Sequence, residues 1–260
     1  MKIRLDKLLV ERGITPSRER AQALILAGKV LVDEQKIEKA GAAIDSESTL
    51  RLLGEDLRYV SRGGLKLEKA LEHWRINLRG KVCLDVGAST GGFSDCMLQH
   101  GAAKVVAVDT GYGQMDFGLR NDPRIRLLEK TNARYLEARD VGERIDFIAM
   151  DVSFISATQV LPAVIRATAS LGSPPAAGPE ESAGEIVVLV KPQFEVGREL
   201  VGKGGIVRDE AAQRAAVAKV EAALAQLGCR GAEWIESPIL GGEGNREFLL
   251  HTGFPAPARV

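Results

Sequence analysis

The chain has 260 residues, 45% of them hydrophobic and 27% charged, with 35 basic and 35 acidic side chains. This composition is typical of a soluble globular protein. Because basic and acidic side chains are equal in number, the overall charge gives no information about a partner. Three cysteines without a Cys-x-x-Cys pair argue against a disulfide framework and a zinc site, and no apolar run is long enough to span a membrane. The charged N-terminus lacks the apolar core of a secretion signal, so we expect a reduced, cytoplasmic protein that binds no metal and no membrane.

The first 60 residues predict a small α+β domain. Leucines at helical spacing lead up to Gly13. Thr15-Pro16-Ser17 predicts the start of a second helix, with a capping hydroxyl and proline in the first turn, and this helix is expected to end near Ala27, before Gly28. Residues 29–32 predict a strand. We expect three basic residues to cluster at the junction of helix and strand, namely Arg18, Arg20 and Lys29.

The segment RLDKLLVERGITPSRERAQALILAGKVLVD resembles the S4-type RNA-binding domain. The resemblance covers about residues 1–60 and implies that structured RNA is bound through its shape and its phosphates. Basic side chains outnumber acidic ones over residues 1–30 and 57–81, which agrees with it. A domain that only caps its neighbour is the alternative. The residues expected to contact RNA are Arg4, Lys7, Arg18, Arg20, Lys29 and Arg62.

Residues 61–80 are expected to link the two domains. Ser61-Arg62-Gly63-Gly64 predicts a hinge or tight loop, because glycine disfavours helix. The apolar positions from Leu65 to Trp74 then predict an amphipathic helix.

Strands and helices alternate over residues 81–254, which predicts an α/β domain with a mostly parallel, seven-stranded sheet covered on both faces. Residues 171–184 are rich in proline, glycine and alanine and predict an exposed loop. The predicted strands are 81–86, 104–109, 125–128, 145–150, 186–190, 231–236 and 247–251. The clearest helices are 91–100, 156–169 and 209–227.

A glycine-rich turn follows the first strand of this domain, in the sequence DVGASTGGF. Ser89 breaks the Gly-x-Gly-x-x-Gly pattern of dinucleotide sites, and Phe93 stands where a phosphate-binding loop has lysine. The turn of methyltransferases that holds S-adenosylmethionine fits better, with Asp109 placed to bind ribose hydroxyls, although NAD binding stays open. The cofactor residues expected from the motifs are Asp85, Gly87, Ser89, Thr90, Gly91, Gly92, Phe93, Asp109, Asn132 and Asp151.

Further polar residues end strands at the same edge of the predicted sheet. Asp151 and Lys191 each follow a strand, and Glu247 begins the last one. If that strand is antiparallel to the others, the three side chains converge beside the cofactor, with Lys66 over the site. Three phenylalanines near this edge, Phe93, Phe154 and Phe194, are expected to pack in the core, although one of them stacking on a base is the alternative.

The motifs SRGGLKL, DVGASTGGF, VDTGYGQ, RNDPR, TNAR, DVSFIS, LVKPQFEVG and GNREF together resemble the TlyA family of the wider FtsJ-like methyltransferases. The resemblance implies a Rossmann-like class I methyltransferase fold and transfer of a methyl group from S-adenosyl-L-methionine to a cytidine ribose 2'-hydroxyl. The implied partner is ribosomal RNA or a ribosomal subunit. RNA of the large subunit is favoured, because family members that act on both subunits have longer ends than the short tail ARV of this chain. The implied catalytic residues are Lys66, Asp151, Lys191 and Glu247.

Three rival functions stay open at this point. A nicotinamide-dependent oxidoreductase lacks an evident pair of residues for hydride chemistry. A non-catalytic RNA-binding protein of ribosome assembly would not need the four catalytic residues as a set. A cytolysin is the third, because this family is also labelled haemolysin.

Overall fold

The computed structural model describes residues 2–15, 17–53, 58–171, 182–242 and 244–255. The contacts between residues divide the chain into two compact units, Met1–Leu57 and Arg58–Val260. Most of the loop expected over 171–184, as well as the tail 258–260, lies outside the described residues.

The N-terminal unit is a small α+β structure around an apolar core. Helices α1 and α2 pack against short strands, β1 pairs with β4, and β2 lies between β3 and β5, all antiparallel. The elements are β1 (Lys2–Arg4), α1 (Leu5–Glu11), α2 (Arg18–Leu26), β2 (Val30–Val32), β3 (Gln35–Lys36), β4 (Ala43–Asp45) and β5 (Leu50–Leu52). The buried core comprises Leu5, Leu9, Ala21, Leu24, Ile25, Val30 and Val32.

Helix α2 begins at Arg18, after the proline expected in its first turn, and the capping hydroxyl is that of Ser17, which accepts a hydrogen bond from Arg20 N at 3.2 Å. The expected basic cluster is wrong. Arg18 begins this nine-residue helix and Lys29 follows its other end, about 13 Å away along the axis. The two cations therefore lie at opposite ends of α2.

The second unit is built on a seven-stranded sheet in the order β11-β12-β10-β9-β6-β7-β8. Strands β6 to β10 are parallel, whereas β12 runs antiparallel to β10 and to β11. The strands are β6 (Val82–Val86), β7 (Lys104–Val108), β8 (Ile125–Leu128), β9 (Phe147–Met150), β10 (Ser182–Val190), β11 (Arg230–Glu236) and β12 (Phe248–Pro255). The helices are α3 (Gly63–His73), α4 (Gly92–Gln99), α5 (Phe117–Arg120), α6 (Ala138–Val141), α7 (Ala157–Ala169), α8 (Pro192–Glu195) and α9 (Glu210–Gln226), with 3-10 turns at Ala133–Tyr135 and Arg198–Leu200.

The central strands are apolar on both faces because helices cover both sides of the sheet. Successive residues of β6 show this alternation: Leu84 packs into one apolar cluster and Cys83 into the other. In β9, Ile148 and Phe147 divide in the same way. The predicted fold class is confirmed, and all seven predicted strands are present within a few residues of the expected limits.

The loop expected at Gly63-Gly64 is wrong, because both glycines belong to α3. A Cβ on Gly64 would lie 2.2 Å from the Tyr59 ring, and one on Gly92 would lie 2.2 Å from Ser61 Oγ. Glycine costs about 1 kcal/mol in a helix relative to alanine. These glycines are therefore required by close packing around the start of α3 rather than by a hinge.

No helix in the described parts of the chain is long and apolar enough to cross a membrane. Likewise, the described His, Cys, Asp and Glu side chains form no group of three that could hold a metal ion. The three cysteines are buried and unpaired, and burial raises the pKa of Cys83 and Cys96 to about 12.

Candidate active site

The glycine-rich turn connects β6 to α4 and has a strained, fixed backbone. Gly87, Ser89 and Gly91 have φ angles of +90°, +49° and +94°, in the left-handed region that favours glycine. A Cβ on Gly87 would lie 2.2 Å from the carbonyl oxygen of Asp151. Only glycine therefore allows the turn to approach the end of β9 so closely.

Asp109 follows β7 and holds the turn from one side. Its carboxylate accepts hydrogen bonds from Ser89 N at 2.8 Å and from Gly111 N at 2.6 Å. Thr131 N donates to the Asp109 carbonyl at 2.9 Å, which brings the loop after β8 to the same place. Asn132 in that loop is exposed and accepts from Arg134 N, at 3.1 Å.

Asp85 lies on β6 beneath the turn and is fully buried. One carboxylate oxygen accepts from Ser94 Oγ at 2.6 Å, and the other, Oδ1, has no partner. Burial with a single neutral donor raises the pKa of Asp85 to about 7. The structure therefore places Asp85 under the turn rather than in the wall of the cavity above it.

A cavity of about 240 Å³ opens above the turn. Six of the ten expected cofactor residues line its wall. The four that do not are Asp85, Gly91, Asp109 and Asn132. Lys66 and Arg62 line the opposite side. The full lining is Ser61, Arg62, Gly63, Lys66, Gly87, Ala88, Ser89, Thr90, Gly92, Phe93 and Asp151.

Two ion pairs meet this cavity. Lys66 Nζ donates to Glu247 Oε2 at 2.5 Å, and both side chains are at least nine-tenths buried. Glu247 reaches this edge because β12 runs antiparallel to β10 and begins where the parallel strands end. The expected antiparallel last strand is thus present, and it joins two residues that are far apart in the sequence.

The second pair joins the ends of β9 and β10. Lys191 Nζ lies 2.5 Å from Asp151 Oδ1 and donates to Ser153 Oγ at 2.7 Å. Asp151 lines the cavity directly, whereas Lys191 reaches it through this contact. The structure thus brings Lys66, Asp151, Lys191 and Glu247 to one edge of the sheet, as two lysine–carboxylate pairs.

The residues expected to contact RNA are divided between the units. In the N-terminal unit, Arg4 and Arg18 donate to the buried carboxylate of Asp6, at 2.8 and 3.0 Å, and Lys7 pairs with Glu11. Lys29 is exposed and Arg20 is half-buried. Arg62 belongs to the second unit, where it lies at the cavity mouth.

Several residues of the site were missed or wrongly interpreted from the sequence. Phe154, expected in the core, is 92% exposed at a φ of +64° and contacts Phe194 at 5.5 Å between ring centroids. Asn245 is buried and bonded to the loop before α9. Glu195 is buried and accepts from Ser156 Oγ and Ala157 N at the start of α7. For Phe154, the one signal in the sequence was its position three residues after Asp151.

The family profile of the FtsJ-like methyltransferases matches residues 59–254, and that of the S4 domain matches residues 3–50. The provisionally named rRNA methyltransferase YqxC of Bacillus subtilis (strain 168) is 46% identical over 98% of this chain and 86% of its own. The 16S/23S rRNA (cytidine-2'-O)-methyltransferase TlyA of Mycobacterium tuberculosis (strain ATCC 25618 / H37Rv) is 43% identical, over 95% of this chain and 88% of its own. The solved structure of a candidate hemolysin from Streptococcus thermophilus is 41% identical and covers 98% of this chain and 90% of that one, with a TM-score of 0.69.

Proposed function

Since the chain belongs to the FtsJ-like methyltransferase family and carries an S4 domain at its N-terminus, we propose that it methylates a cytidine ribose 2'-hydroxyl in ribosomal RNA. S-adenosyl-L-methionine is the methyl donor. The observation that carries the proposal is the meeting of two lysine–carboxylate pairs at the cavity above the glycine-rich turn. The relative TlyA is named for this reaction on 16S and 23S rRNA.

The residues of the turn fit S-adenosylmethionine. Gly87, Ser89 and Thr90 present backbone to the cavity without bulky side chains, as a closely held ligand requires. Asp109, beyond the next strand, is the residue proposed to bind the ribose hydroxyls of the cofactor, with Asn132 in the neighbouring loop. When bound there, the cofactor supplies an electrophilic methyl group on a positively charged sulfur.

Methyl transfer would require this chain to hold the ribose oxygen in line with the methyl group of the bound cofactor and to accept the hydroxyl proton. The sulfur would leave as a neutral thioether. Lys66 and Asp151 line the cavity, so we assign them to holding the hydroxyl in this geometry, while Glu247 and Lys191 fix their positions. The pH–rate profiles of Lys66→Arg and Lys191→Arg identify which lysine accepts the proton.

The S4 domain is the proposed contact with structured rRNA outside the target nucleotide. Its exposed cations fit phosphate binding, which positions an RNA without specifying its sequence. The target nucleotide itself must leave its helix to reach the cavity. A cytoplasmic location stays a prediction of the sequence.

The experiment is a transfer assay with tritiated S-adenosylmethionine and unmodified 16S and 23S rRNA, both free and within ribosomal subunits. Wild type, Lys191→Ala and the matched variant Lys81→Ala, in an ion pair at the opposite end of the sheet, are compared. Label on a ribose 2'-oxygen that is lost only in Lys191→Ala supports the proposal. No label on any RNA, with cofactor binding intact, refutes the rRNA assignment, and no cofactor binding refutes the methyltransferase itself.

A cytolysin is the second candidate, because the solved relative from Streptococcus thermophilus bears the description hemolysin. It is tested by release of a fluorescent dye from liposomes by the purified protein. Leakage that persists in Lys191→Ala would establish membrane damage independent of methyl transfer. A non-catalytic assembly protein is excluded by transfer in the first assay, and a nicotinamide-dependent enzyme by failure to bind NAD.

A further inference from the structure

Three cations beside the active site have no acidic partner among the residues that the structure describes. Arg198, Lys203 and Arg208 are exposed, and none forms an ion pair or hydrogen bond with another described side chain. Elsewhere in the second unit many cations are neutralised locally, as in Arg120–Glu129 and Lys104–Glu143. We refer to residues 196–208, which contain these cations, as the basic segment. Its one acidic residue, Glu199, folds back against its own Gly197.

The basic segment is tied to the catalytic edge of the sheet at both ends. It begins after α8, which directly follows Lys191. At its other end the buried side chain of Asn245 accepts from Val207 N at 2.9 Å and donates to Gly205 O at 2.8 Å. Asn245 stands two residues before Glu247, so the segment spans the space between the two lysine–carboxylate pairs.

A tight glycine turn holds Lys203 at the tip of the segment. Gly202 N donates to Ile206 O at 3.0 Å, and Gly205 N donates to Gly202 O at 3.1 Å. Gly204 and Gly205 have φ angles of +80° and +75°, which glycine adopts without strain. The backbone that carries the cation is therefore ordered before any ligand binds, which lowers the entropy cost of binding.

We propose that the basic segment binds the phosphates of the RNA strand that flanks the target nucleotide. This inference rests on the proposed function, since a polynucleotide entering the cavity must pass over the carboxyl edge of the sheet. Unpaired arginine and lysine side chains on a glycine-rich turn suit phosphate oxygens and do not discriminate between bases. The segment would thus determine how the strand lies across the site, while the S4 domain binds RNA elsewhere.

The test compares two full-length triple variants. The first is Arg198→Gln/Lys203→Gln/Arg208→Gln. The matched control is Arg79→Gln/Arg166→Gln/Arg230→Gln, which removes three exposed cations that likewise have no acidic partner in the described parts of the chain but lie toward the other end of the sheet. Binding to unmodified ribosomal subunits and to protein-free rRNA is measured over a range of salt concentrations, together with kcat, KM and S-adenosylmethionine binding.

We expect the first variant to bind RNA about tenfold more weakly or worse near physiological salt, with the slope of log K against log salt reduced by about 2 to 3. Cofactor binding stays at the wild-type level. An equal loss in the control variant, or an unchanged slope in the first, overturns the inference. So does a loss seen with subunits but absent with rRNA, because the contact is then with a ribosomal protein. If the wild type methylates no RNA, the proposed function has failed and the inference falls with it; the other adverse outcomes arise with an active wild type.

Discussion

Asp6 in the N-terminal unit and Asp85 in the methyltransferase unit are both fully shielded from solvent, but their surroundings are opposite. Asp6 accepts hydrogen bonds from Arg4, Arg18 and Gln22, and these donors hold its pKa well below the ordinary value. Asp85 has one neutral donor, Ser94, and burial raises its pKa to about 7.

The difference shows that the donors around a buried carboxylate decide its charge. Asp6 is a permanent anion that joins β1, α1 and α2, so Arg4 and Arg18 have a structural role besides any contact with RNA. Asp85 changes its charge near neutral pH, directly under the turn assigned to the cofactor. Glu247 is likewise buried, and its partner is the buried side chain of Lys66.

The largest effect is expected from removing the lysine that neutralises Glu247. Lys66→Ala leaves a buried carboxylate unpaired, which we expect to lower the free energy of unfolding by about 3–5 kcal/mol and kcat by a factor of about 10² to 10⁴. The double variant Lys66→Ala/Glu247→Ala should recover part of the stability and none of the activity. Denaturant unfolding and methyl transfer measure the two quantities. Equal losses of stability in the single and double variants would contradict the prediction.

Replacing each of the two buried aspartates with asparagine should change the free energy of unfolding in opposite directions. The raised pKa of Asp85 stabilises the fold below the unfolded value of 3.8, and this contribution is lost as pH rises toward 7. Asp85→Asn should therefore gain stability over wild type as pH rises from 4 to 8, by a few kcal/mol. The lowered pKa of Asp6 stabilises the fold above 3.8, so Asp6→Asn should lose stability at neutral pH and much less in acid.

Denaturant unfolding of both variants from pH 2 to pH 8 checks these opposite signs, because the contribution of Asp6 is lost only as pH falls below 3.8, whereas that of Asp85 is lost as pH rises toward 7. A parallel change in the two variants would mean that burial alone sets the charge of both aspartates.

A smaller effect is expected at Phe154, where substrate binding should change and stability should not. If its exposed ring stacks on a base, Phe154→Ala should raise KM for RNA by the equivalent of about 1–3 kcal/mol. Phe154→Gly should unfold no more easily than wild type, because φ is +64° at this position. Steady-state kinetics and thermal unfolding measure both, and an unchanged KM would assign Phe154 no contact with RNA.

The smallest effect is expected at Glu185, a partly exposed carboxylate that contacts Lys81 and His251. His251 and Lys81 lower the pKa of Glu185 to about 2. Its contribution is present above pH 4.5 and is lost as pH falls toward 2. Because solvent screens the pair, Lys81→Ala should cost about 0–1 kcal/mol near neutral pH, with methyl transfer unchanged. A loss of unfolding free energy as large as that of Lys66→Ala would contradict the prediction. It would show that the deeper burial of the Lys66–Glu247 pair does not make it cost more to break than the Lys81–Glu185 pair.

The positions of the strands in the sequence and the edge of the sheet that carries the site are predictable because their signals are local. The central strands contain short apolar runs, and Asp151 and Lys191 directly follow such runs. The place of Glu247 follows once the last strand is assumed antiparallel. These inferences need only the periodicity of the chain and the geometry of a parallel sheet.

Features that depend on contacts between distant residues were not predictable. The helical Gly64 reflects a contact with Tyr59, and the buried Asn245 reflects bonds to Gly205 and Val207. The charge of Asp85 depends on a missing donor, which no pattern in the sequence encodes. The exposure of Phe154 follows from a left-handed backbone that an aromatic residue seldom adopts.

The separation of Lys66 and Glu247 by 181 positions has a consequence for the order of events during synthesis. Lys66 leaves the ribosome early, and its partner follows only after nearly all of the sheet has been made. Until β12 inserts beside β10, the nascent polypeptide lacks Glu247, one of the four residues proposed to be catalytic. The proposed set of residues is therefore complete only when the last strand is in place.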